Sequence, residues 1–78
     1  MNGQLVIVKD VASRQLLKKV CYADKNMVFV TSEKAFDLIK KGTSGLFPIG
    51  FRVENVFVYD GQPLTRELNW KKLKPWRG

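Results

Sequence analysis

Histidine is absent from all 78 residues, which removes the commonest general base, the commonest metal ligand and the usual partner of a serine or cysteine nucleophile. A single cysteine, Cys21, cannot close an internal disulfide, and without histidine it cannot build a zinc site of the usual kind. One thiol fits a reducing compartment. Set among apolar neighbours in a strand-like stretch, Cys21 is expected to be a small buried filler and not a reactive group. The acidic side chains, Asp10, Asp24, Glu33, Asp37, Glu54, Asp60 and Glu67, are scattered singly, so neither paired catalytic carboxylates nor a calcium loop is suggested. No apolar run approaches eighteen residues, and no charged segment leads into an apolar one at the N-terminus. The expectation is a soluble, cytoplasmic protein without a membrane span or secretion signal. It is expected not to be an enzyme, and to carry no cofactor and no metal. Residues 41–45 (KGTSG) hint at a phosphate loop, but there the lysine precedes the glycines and a helix ends where one should begin.

What the chain does contain is enough for one small core. Hydrophobic residues make up 45% and aromatics 12%, and a domain of this length buries about 60 to 65% of its unfolded surface. The clearest local signal is residues 31–42 (TSEKAFDLIKKG). Ala35, Phe36, Leu38 and Ile39 recur at helical spacing, opposite Glu33, Lys34, Asp37, Lys40 and Lys41, which predicts an amphipathic helix. Thr31 or Ser32 can cap its first turn, Lys40 and Lys41 suit its negative end, and Gly42 supplies a left-handed stop. So short a helix needs a surface to pack on.

The remaining segments predict that surface. Residues 5–11 open with the β-branched run LVIV, residues 15–23 alternate with apolar groups on both faces, and residues 27–30 (MVFV) lead into the helix cap. Residues 12–14 and 24–26 are the connections, with Asn26 suited to a positive φ. Residues 51–60 (FRVENVFVYD) form the strongest strand signal. Near Asn55 either Val56 and Val58 or Phe57 and Tyr59 can face inward, a conflict that a bulge or bend would resolve. Phe47, in the loop over residues 43–50, is expected to plug one end of the core. The expected architecture is α+β: an antiparallel sheet of four or five strands in the order β-β-β-α-β, the helix packed across one face, and a C-terminal appendage. An SH3-like small β-barrel is the alternative. Residues 1–63 are expected to form the domain and residues 64–78 a separate basic segment, with residues 65–73 a candidate short helix and residues 76–78 a free end.

Charge is the best functional clue. Fourteen Lys and Arg against seven Asp and Glu leave a net +7, a balance that favours polyanionic partners without specifying a fold. Residues 1–60 carry nine basic and six acidic groups, whereas residues 61–78 carry five basic groups and Glu67 alone. Arg66, Lys71, Lys72, Lys74 and Arg77 are interleaved with Trp70 and Trp76, offering cations for phosphates and flat faces for unpaired bases. Lys18, Lys19, Lys40 and Lys41 are candidate extensions of that surface. The leading expectation is a non-enzymatic protein that contacts RNA or DNA through this segment. Two readings compete with it. One tryptophan docks on the core and the lysines are a solvated face; or the protein is an interaction module for another protein, using a strand edge or the apolar loop around Phe47.

Overall fold

The protein is described here as a computed structural model covering residues 3–42, 47–64 and 69–77. Five strands, β1 (Leu5–Lys9), β2 (Gln15–Ala23), β3 (Met27–Thr31), β4 (Ile49–Arg52) and β5 (Val56–Val58), form one open antiparallel sheet in the order β4-β3-β2-β1-β5. Helix α1 (Glu33–Lys40) lies between β3 and β4, giving a small α+β fold.

Aspartates build the two hairpins of the meander. Asp10 Oδ1 accepts from the amides of Ala12 (2.9 Å) and Arg14 (2.8 Å), while Oδ2 accepts from Arg14 Nε at 2.7 Å. Ser13 takes the left-handed position with φ 59°. In the next turn Asp24 Oδ1 accepts from the amides of Asn26 and Met27, each at 2.8 Å. Asn26 itself keeps a negative φ, contrary to expectation: the carboxylate of Asp24 closes the turn without it. Backbone amides hold both carboxyls below their ordinary value of 3.8, led at Asp10 by the Arg14 amide and at Asp24 by the Asn26 amide. Because each group titrates lower in the fold than in the open chain, the unfolded state takes up protons first, and stability falls as the pH drops below about 4. Asp10→Asn and Asp24→Asn are therefore expected to flatten the acid limb of the stability curve. Urea unfolding at a series of pH values checks this, and a double variant with an unchanged limb would refute it.

A bulge settles the ambiguous register of β2. Val20 pairs with Val30, but the next pairing is Tyr22 with Phe29, leaving Cys21 as the extra residue. The insertion moves Tyr22 onto the face of Phe29, where the two rings stack at 4.7 Å, while Leu16, Lys18 and Val20 stay on the inward face. Cys21 is buried, and that burial pushes its thiol pKa up. Gly50, opposite Phe29 in the ladder, leaves room for this stack: a Cβ there would lie 2.9 Å from Phe29 Cε1 and 3.1 Å from Met27 Cε. Gly50→Ala is expected to cost about 1–3 kcal/mol through forced side-chain shifts, read as a lower denaturant midpoint.

The strand expected over residues 51–60 is two strands. A 3-10 turn (Val53–Asn55) separates β4 from β5, and these pair with β3 and β1 at opposite edges of the sheet. Five flat strands would place those edges about 19 Å apart, yet three residues of 3-10 helix advance only about 6 Å. The sheet must curl to bring its edges together. No β4 to β5 pairing closes it, so the SH3-like barrel is not completed. The turn is tied to the second hairpin by the Val53 amide, which donates to Asn26 O at 3.0 Å. It also resolves the alternation conflict: Phe51, Val53, Val56 and Val58 all pack on the core.

That core lines the inside of the curl and comprises Val6, Val8, Val20, Val28, Val30, Val56 and Trp76. On the outer face Ile7 is fully buried between its ladder partners Leu17 and Phe57. The helix contributes less than expected. Ser32 Oγ accepts from the Ala35 amide (3.1 Å) and Gly42 stops the helix at φ 85°, but of the apolar stripe only Phe36 is buried, and Leu38 is 36% exposed. The helix meets the sheet chiefly at β2. Phe47, expected as a core plug, is 85% exposed. Trp76 takes that role instead.

Candidate nucleic-acid interface

The C-terminal residues 69–77 form a strap along the outer edge of β5. Asn69 Oδ1 accepts from the Lys71 amide at 3.0 Å and starts a 3-10 turn (Trp70–Lys72); residues 65–68 of the expected helix lie outside the described residues. Beyond the turn, the Val58 amide donates to Lys74 O (2.8 Å) and the Trp76 amide to Val56 O (3.1 Å), flanking a bridge between Phe57 and Pro75. Proline is tolerated there because the neighbouring groups make both bonds and no donor is asked of it. Of the expected free end, Trp76 is thus paired with β5, while Gly78 lies outside the described residues.

The anchor of the strap is Trp76. The indole is 4% exposed, and Nε1 donates to Gln4 Oε1 at 2.9 Å, across 72 residues of chain. This corrects the expectation that Trp76 stacks on a base, because a ring sealed into the core has no open face. Trp70 is half-buried, with its ring centroid 5.2 Å from that of Phe57 and Lys9 Nζ 5.5 Å from its centre. Phe57 and the Lys9 ammonium thus occupy much of the ring's surroundings.

The cations are placed differently. Lys71, Lys72, Lys74 and Arg77 are all exposed, and among the described residues none is in an ion pair. The sheet brings Lys9 to this group through Trp70, a neighbour missed in the sequence because β1 and the strap meet only after both have docked against β5. Arg66 lies outside the described residues. Of the candidate extensions, Lys19 stands 5.2 Å from the Phe36 ring centre on the outer face, whereas Lys18 belongs to the inward face, so the pair does not form one patch. Lys40 and Lys41 sit at the end of α1.

Beside the strap is an open hollow of about 490 Å³. Gln4, Val58, Lys74, Pro75, Trp76 and Arg77 line it. Two side chains of the cationic set therefore border a concave surface whose floor is held by the Trp76 hydrogen bonds. Among the described residues no group of three or more Cys, Asp or Glu side chains converges as a metal site would require, and no helix is long and apolar enough to cross a membrane. Comparison with protein-family models, with curated proteins and with solved structures finds no match to the chain.

Proposed function

We propose that this is a non-enzymatic binding protein that holds nucleic acid by its phosphates along the C-terminal strap. The observation that carries the reading is the placement of Lys71, Lys72, Lys74 and Arg77, exposed and without ion pairs among the described residues, on a backbone tied to β5. An exposed lysine on a free tail loses chain entropy when it binds. On a docked strap much of that cost has already been met in folding. Lys9 extends the same surface, and the hollow bordered by Lys74 and Arg77 can take a phosphate and its sugar. The contact is chiefly electrostatic, with stacking limited to what Trp70 leaves open.

Four phosphate contacts imply a log-log salt slope of about −3.6 on duplex and about −2.8 on single strands. Titration of labelled single-stranded DNA, RNA and duplex DNA at two ionic strengths tests this. Salt-independent binding, or none at low salt, would reject the reading.

A further inference from the structure

We propose that the opposite edge of the sheet, β4 with the hollow beside it, takes an extended acidic segment of a partner protein by strand addition. The two edges of the sheet are finished differently. The strap covers β5, whereas among the described residues no strand pairs with the outer side of β4. A bare edge presents backbone donors and acceptors that another chain can complete.

The side chains next to that edge indicate what would lie there. The inward face opens beside β4 into a hollow of about 270 Å³, lined chiefly by Leu16, Lys18, Val30, Phe47, Ile49 and Phe51. Phe47 is 85% and Ile49 63% exposed, two large apolar groups left in water at the rim of an apolar depression. Within it Lys18 is half-buried and, among the described residues, in no ion pair. Successive side chains of an added strand alternate in direction. Every second one therefore meets the hollow, and the matching segment has an apolar side chain there with a carboxylate two positions along for Lys18.

Charge argues against a second copy as the occupant. Each chain carries +7, and the residues of β4, IGFR, include no acid that could meet Lys18 of a partner copy. Nucleic acid is also a poor fit, since it has no peptide ladder to offer the edge and no aliphatic side chain for the hollow.

The test uses the whole protein, isotope-labelled for amide NMR, and the capped peptide acetyl-Thr-Val-Thr-Leu-Thr-Glu-Thr-Val-amide. A second peptide has lysine in place of glutamate. The glutamate peptide is expected to shift the amides of β4 and of Leu16 and Lys18, and to bind at least about tenfold more tightly than the lysine peptide. Ile49→Thr, Phe47→Ser and Lys18→Gln are each expected to weaken it severalfold, while alanine at Lys71, Lys72, Lys74 and Arg77 leaves it unchanged. Ile49 and Phe47 are exposed, so at least one of their variants should fold. Absence of shifts at β4, or equal binding of the two peptides, would overturn the proposal. So would a decathymidylate that shifts β4 in preference to the strap, or a dimer in sedimentation that Ile49→Thr dissolves.

Discussion

Trp76→Ala is expected to lower stability by about 3–5 kcal/mol, against a total of about 4–12 kcal/mol for a chain of this length. The loss has two sources. Removing the indole empties the place it fills among Val6, Val8, Val20, Val28, Val30 and Val56, and it deletes the bond to Gln4 that ties the chain's last residues to its first. Without the ring, the two bonds between the strap and β5 have no apolar anchor, so the strap should open locally and amide exchange at Val58 should become faster than global opening allows. Trp76→Phe separates the sources, because it keeps a large ring in the core and drops the Nε1 donor. Its cost should be about 1–3 kcal/mol. Trp70, half-buried, remains as the fluorescent reporter in both variants. An unchanged denaturant midpoint for Trp76→Ala would mean that the strap does not hold the fold together.

The second large effect concerns binding. Replacing Lys71, Lys72, Lys74 and Arg77 by alanine is expected to weaken nucleic-acid binding at least about a hundredfold at low salt and to reduce the magnitude of the duplex salt slope by about 3.6, since four phosphate contacts and their released counterions disappear together. All four side chains are exposed, so the fold should survive. The informative control is Lys25, Lys34, Lys40 and Lys41 changed to alanine, which removes the same charge from the second hairpin and α1. If that variant loses as much affinity, net charge alone governs binding and the strap has no special part. For the intact protein, raising salt from about 50 to about 200 mM should reduce duplex affinity roughly a hundredfold by the same counting.

Gln4 and Trp76 show why part of this molecule could be foreseen and part could not. The start and stop of α1 were legible, because Ser32 caps an amide three residues on and Gly42 closes on Ile39. So were the meander of β1, β2 and β3 and its turns, each closed by an aspartate within four residues of its partners. Wherever the deciding partner lies far along the chain, local pattern was mute. The alternation of residues 51–58 showed a conflict but could not show that the chain changes edges there. Two exposed apolar groups, Phe47 and Ile49, look in sequence like core residues, and Trp76 looks like a free end. Lys9 gave no sign of lying near the strap.

The candidate site divides in the same way. The sequence by itself determined that histidine chemistry and an internal disulfide are excluded, and that positive charge gathers in the last quarter of the chain. Tertiary structure alone decided which of those C-terminal groups face water: it sealed Trp76 inside, half-covered Trp70 with Phe57, and left four cations outside. The reason is that charge and helical period belong to neighbouring residues, whereas burial depends on how far the sheet curls. That curl is set by contacts between residues separated by most of the chain.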